Sequence, residues 1–231
     1  MVCIGDSVTQ GRGDRAKGGS EWIPTQSWRW AFWKKALDAG IDIQFVGTLT
    51  EGFESTPSYE DYKGKVFENR HEARWGKTTE HAREAVAQSS TQWIADVALV
   101  YLGGNAEKLS DDEKNTDPHG VRRSAAAMRG LVEVLRSNNP NMALLIRRIN
   151  GEGERESGLN EAFEEIASEC NHLDAPAATV EVPSDWQWDP KEPGTDTIDG
   201  SHPNPQGDEK NAAAFFNQFL AINEPARREI C

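Results

Sequence analysis

The sequence predicts an α/β domain built around a mainly parallel sheet. Short apolar runs alternate with amphipathic helical stretches, the order that lays helices on the faces of parallel strands. One run, VALVYLGG (97–104), is apolar without interruption, as strands buried on both faces are. Two polar clusters, Gly5-Asp6-Ser7 and Gly103-Gly104-Asn105, each follow an apolar run directly. Both therefore belong at the carboxyl edge of the sheet, where such folds bind their ligands.

From the amino end, residues 1–5 are the first strand, and the Gly-rich, polar stretch 11–26 is a loop. WRWAFWKKALDA (28–39) is a helix with Trp30, Trp33 and Leu37 on one face, stopped by Gly40. IDIQFVGTL (41–49) alternates in polarity and reads as the second strand. Residues 50–77 are polar and without period, and a loop of that length in a compact domain usually serves function. Thr78 or Thr79 caps a helix running to about Trp93, and 97–104 is the third strand. Asp117-Pro118 opens a helix with a cap and a first-turn proline, striped by Val121, Ala125, Met128, Val132 and Leu135. MALLI (142–146) is the fourth strand. Leu159, Phe163, Ile166 and Cys170 mark a helix, a weaker strand lies within 172–182, and Phe215, Phe216, Phe219 and Leu220 mark the last helix. No repeat or second unit interrupts this order, so residues 1–231 read as one catalytic domain.

The 231 residues carry 25 Lys plus Arg against 38 Asp plus Glu, a net charge of −13. That balance excludes nucleic-acid phosphates and anionic membrane surfaces as natural partners and suits a neutral substrate. No apolar stretch reaches the length of a membrane span. No basic-then-apolar leader precedes Gly5, so no signal peptide is visible. Cys3, Cys170 and Cys231 are odd in number and far apart, which gives neither a disulfide framework nor a metal spacing. Cys3 is expected to be a small buried hydrophobe. The acidic run SDDEKNTD (110–117) is expected to be a solvated loop. Neither metal nor nucleotide motifs occur, so no cofactor is expected.

Ser7 becomes a nucleophile only with a base, a carboxylate that orients the base, and donors for an oxyanion. His202 lies in DTIDGSHPNPQG (196–207), with Asp199 three residues earlier, a spacing that puts both on one side of a turn. Asp196 is the fallback orienter. The backbone N–H of Ser7, a loop glycine and the Asn105 amide are candidate oxyanion donors. Taken singly, each has a plainer reading: Ser7 as a helix cap, Asn105 as a turn residue, and 199–202 as a capping loop.

Together, GDSVTQG (5–11), RWG (74–76), LGGN (102–105) and DGSHP (199–203) resemble the four blocks of the SGNH hydrolase superfamily, the GDSL-like esterases, in family order. The resemblance implies a three-layer αβα sandwich, flavodoxin-like, with about five parallel strands. It implies Ser7 as nucleophile, Gly76 and Asn105 as oxyanion donors beside the Ser7 N–H, and Asp199 and His202 as the rest of a triad. GDSVTQG, the segment 27–48 and HEARWG (71–76) further resemble carbohydrate esterase family 3, acetyl xylan esterases and related deacetylases. That likeness implies a secreted or periplasmic serine esterase that removes acetyl groups from a carbohydrate ester without a cofactor. The third block departs from the family pattern: Ala106 stands where a carboxylate usually follows the asparagine.

Trp75, Trp186 and Trp188 are candidates for stacking on sugar rings, or else cover the rim of the core. His71 and Arg74 either line the pocket or brace its loop. The rival functions are a lipolytic or thioester-cleaving relative and a feeble carbohydrate-binding one. A histidine base must be neutral, so turnover should fall below about pH 6, near the ordinary histidine value.

Overall fold

Five parallel strands in the order β4-β1-β5-β6-β7 form the sheet of the computed structural model, which describes residues 1–11, 14–15, 22–23, 26–53 and 57–223. The strands of this sheet are β1 (Val2–Gly5), β4 (Glu72–Ala73), β5 (Val97–Tyr101), β6 (Ala143–Arg147) and β7 (Ala177–Val180). Within the stretch expected to be a plain loop, β2 (Asp14–Arg15) and β3 (Trp22–Ile23) pair antiparallel, and the rest of residues 12–25 lies outside the described residues. The helices are α1 (Ser7–Gln10), α2 (Trp28–Asp38), α3 (Thr79–Ser89), α4 (Asp111–Thr116), α5 (Val121–Asn138), α6 (Glu154–Glu169) and α7 (Pro205–Asn223).

Successive strand residues point to opposite faces, and each face is buried under helices. Val2, Ile4, Ala98, Val100, Leu144 and Ile146 pack with Met128, Leu131, Leu135 and Phe163 from α5 and α6. Cys3, Leu99, Tyr101, Leu145 and Val180 pack with Trp28 and Phe32 of α2 and Phe215 and Phe219 of α7. Trp28 and Phe215 stack with ring centroids 4.4 Å apart. The result is the expected three-layer αβα sandwich. Cys3 is fully buried, and burial pushes its thiol up to about 12, which leaves it inert. Cys231 lies outside the described residues. Among the described residues no helix is long and apolar enough to cross a membrane.

Four local expectations are corrected. Residues 41–49 are not a strand. They touch β1 through one bridge, Val46 to Val2, and then Gly47 turns away at φ +142. A Cβ on Gly47 would lie 2.5 Å from His71 O, so the turn needs glycine. The alternation there reflects Phe45 packing in the core, with no ladder. The upper edge of β1 is paired instead by Glu72–Ala73, from within the stretch expected to be unstructured. Second, the acidic run 110–117 holds helix α4, closed by a capping box between Ser110 and Glu113. Third, α5 begins at Val121, because Asp117 ends α4 while its carboxylate accepts from the N–H of Arg122 and Arg123 at 3.2 and 3.1 Å. Fourth, α2 buries Trp28, Phe32, Trp33 and Ala36, and leaves Trp30 and Leu37 half-buried.

Candidate active site

The carboxyl ends of β1, β4 and β5 deliver Ser7, Gly76 and Asn105 to one edge of the sheet, and the segment before α7 delivers Asp199 and His202. Gly5 makes the first turn possible. A Cβ there would overlap the Thr9 side chain and come within 2.9 Å of Tyr101 O. Asp6, not Ser7, is the helix cap: its Oδ1 accepts from the Val8 N–H at 3.0 Å. Ser7 is therefore the first residue of α1, and its hydroxyl is not spent on capping.

Ser7 Oγ lies 3.0 Å from His202 Nε2. On the other side of the ring, Nδ1 lies 2.9 Å from Asp199 Oδ2. A carboxylate only accepts, so Nδ1 carries the proton, and the Nε2 lone pair faces the serine hydroxyl. Asp199 also accepts from the N–H of Ser201 and of His202 at 3.1 and 2.8 Å. Burial pushes the Asp199 carboxyl up, but the His202 N–H, the imidazole and the Ser201 N–H together hold it below its ordinary value. Asp196, the fallback orienter, is bound elsewhere. Its carboxylate accepts from the Gln187 N–H, the Gln206 amide and the Lys210 ammonium at 2.7, 3.1 and 2.9 Å. It staples the Trp-bearing segment to α7.

The Asn105 amide donates to Asp6 Oδ2 at 3.3 Å and to Lys77 O at 3.0 Å. These two acceptors set its place without help from residue 106. Gly76 takes φ +65 in the turn after β4, and its N–H meets no acceptor among the described residues. The buried Asp6 carboxyl is pushed up to about 6 by burial, against the pull of the Val8 N–H.

The structure separates the four candidate substrate contacts. His71 is fully buried: Nδ1 accepts from the Ala73 N–H at 3.1 Å, so Nε2 donates to Glu51 O, also at 3.1 Å. Burial holds its pKa well below 6.5. Arg74 pairs at 3.5 Å with buried Glu72, which also accepts from the Thr48 N–H and the Trp93 indole at 2.7 and 3.0 Å. His71 is thereby enclosed in the core, and Arg74 braces the loop through Glu72. Trp75 stacks on the His202 ring at 4.7 Å and 8°, and its other face stacks on Phe53 at 4.3 Å and 17°. With both faces covered, it offers no platform to a sugar. Trp186 packs edge to face with Trp188 at 5.8 Å, beside a cavity of about 710 Å³ whose lining includes none of Ser7, Asp199 and His202.

Three contributors escaped sequence reasoning. Gln10 accepts from the Trp75 N–H at 2.6 Å, tying the second block to α1. Arg29 is fully buried and donates to the carboxyl end of α1, at Thr9 O (2.7 Å) and Gln10 O (3.3 Å). Phe53 backs Trp75. Each sits in a helix end or a loop, and only Arg29, a charge within an apolar helix, left a trace in the sequence. Among the described residues no group of His, Cys, Asp and Glu is arranged to hold a metal ion.

The family model of the GDSL-like Lipase/Acylhydrolase family matches residues 3–210. The crystal structure of a carbohydrate esterase family 3 from Talaromyces cellulolyticus superposes with TM-score 0.68 at 17% identity, covering 96% of each chain. The Clostridium thermocellum family 3 carbohydrate esterase gives TM-score 0.66 at 19% identity, covering 96% of this chain and 95% of that one. A lipase/acylhydrolase from Enterococcus faecalis gives 0.60 at 14%, covering 97% and 96%. Among curated proteins, none matches at significant similarity.

Proposed function

The chain belongs to the GDSL-like lipase/acylhydrolase family and is a carboxylic ester hydrolase, and from that premise we propose that it removes O-acetyl groups from carbohydrate. The observation that carries the catalytic part is the unbroken line from Ser7 Oγ through His202 to Asp199, at 3.0 and 2.9 Å. In this reading Ser7 Oγ attacks the ester carbonyl as His202 Nε2 takes its proton. Asp199 holds the imidazolium through Nδ1–H. The N–H of Ser7 and the N–H of Gly76 receive the oxyanion, and the Asn105 amide joins them by exchanging its hydrogen bond to Lys77 O, each such donor being worth on the order of 3 kcal/mol of barrier. The sugar hydroxyl leaves with the proton from Nε2. Water then repeats the attack on the acetyl-serine and releases acetate.

The Trp75 ring supports the same step, because an indole face attracts the positive charge that His202 carries when the oxyanion forms. The acetyl and carbohydrate parts draw on the shared fold of the family 3 esterases and on a net charge of −13, which favours a neutral substrate.

Hydrolysis of 4-nitrophenyl acetate by the parent and by Ser7→Ala tests the chemistry. The variant should lose about 10⁴-fold or more in kcat. Equal rates would refute the mechanism. Acetate release from acetylated xylan, set against octanoyl ester cleavage, tests the substrate class, and a preference for octanoyl would favour the lipolytic rival.

A further inference from the structure

With Trp75 sandwiched between Phe53 and His202, an aromatic platform for a sugar must lie elsewhere on the sheet edge. The cavity of about 710 Å³ between the segments after β6 and β7 carries one, formed by Trp186 and Trp188. Its volume falls in the range of natural small-molecule sites.

Both walls of this cavity abut the catalytic loops. On one side stands Ile149, whose Cδ1 lies so close to Gly103 that a Cβ there would approach it to 2.5 Å. Gly103 is two residues before Asn105, and Arg155 Nη2 also donates to its carbonyl at 2.5 Å. On the other side, Trp188 O accepts from Thr197 Oγ1 at 2.5 Å, and that same hydroxyl accepts from the Gly200 N–H at 3.0 Å. Gly200 follows Asp199. The cavity thus borders, through Ile149 and Trp188, the segments that carry Asn105 and Asp199.

The polar lining selects among occupants. Arg148 pairs with Glu181 at 3.3 Å across the wall, and Glu152 stands at the rim. An alkyl chain laid here would strip water from these charges without returning hydrogen bonds. A purely anionic group would meet carboxylates. A neutral ring bearing several hydroxyls can donate to the glutamates, accept from the arginine, and lay its apolar face on indole. Trp188 is 37% exposed and can receive it.

We propose that this cavity is a subsite for a neutral sugar residue of an oligosaccharide whose acetyl group sits at Ser7. The inference rests on the esterase reading above and deepens it: the substrate is a chain longer than a monosaccharide. Trp188→Ala should lower kcat/KM for acetylated xylo-oligosaccharides about tenfold, mostly through KM, the loss of one good stacking contact. It should leave 4-nitrophenyl acetate within about twofold of the parent, well below the 1.4 kcal/mol of a tenfold change. That second rate also reports that the variant folds. As a separate measurement, xylotetraose binding to Ser7→Ala should change tryptophan emission, and the change should vanish in Ser7→Ala/Trp188→Ala. Unchanged oligosaccharide turnover in Trp188→Ala, or a parent kcat/KM that does not rise with chain length, would overturn the subsite and leave the esterase intact. A parent that cleaves no acetylated sugar would sink the carbohydrate reading, and the subsite with it.

Discussion

Asp6 is buried with its carboxyl pushed up to about 6 from an ordinary 3.8, and no cation is bonded to it among the described residues. The folded protein therefore holds this proton more tightly than the unfolded chain does. The stability that follows is fully present below pH 3.8 and is lost as pH rises through about 6. From 3.8 to about 6, at 1.36 kcal/mol per pH unit, the loss is about 3 kcal/mol. Asp6→Asn keeps an oxygen that can cap α1 and removes the titration. Urea unfolding followed by tryptophan emission, from about pH 4 to about pH 8, gives both stabilities. The variant should gain about 2.5 kcal/mol on the parent over that range, since some of the loss has already occurred at about pH 4 and every other titrating group is common to both. A difference constant within about 0.5 kcal/mol, the usual limit of additivity, would refute the burial argument.

Trp75→Leu should lower kcat about 3- to 30-fold with little change in KM, and Trp75→Phe should restore much of it, because the ring stabilises imidazolium and does not hold substrate; a loss carried by KM alone would contradict this. Arg29→Met should destabilise the fold by about 1–3 kcal/mol in thermal unfolding and also slow turnover, since Thr9 O and Gln10 O lose their buried donor; parent-like values for both would remove Arg29 from the support of α1. Asp199→Asn should lower kcat about 10⁴-fold in steady-state assays while the circular dichroism spectrum stays that of the parent, because an amide favours the wrong imidazole tautomer; a loss under tenfold would point to another orienting group.

The layers were legible because burial imposes a period on any chain that covers both faces of a sheet. Val97–Tyr101 and Ala143–Arg147 lie where their apolar runs put them. The Asp199–His202 spacing was legible for a local reason, since a three-residue separation within one turn leaves few other geometries. The edge of the sheet was not. Residues 41–49 alternate because Phe45 reaches the core, and polarity alone does not say whether the backbone alongside is paired. Trp75 shows the same limit in the site. Its position beside Gly76 suggested a sugar platform, but the residues that cover it, Phe53 and His202, come from distant parts of the chain. Asp196 and Asp199 look alike in the sequence. What separates them is that Lys210 and Gln187 reach one of them first.

The divided pairing of β1 has a consequence for the protein in crowded solution. An exposed strand edge is a template on which another chain can add itself. Here one margin of the sheet ends on Glu72–Ala73, two residues long, and the other on Ala177–Val180, four residues long. A stranger's backbone laid on either finds too few free donors and acceptors in register to hold it. On the outer margin, Val46 and Leu49 bridge Val2 and His71 on either side of the bend at Gly47, so part of that edge is already occupied without a strand being added.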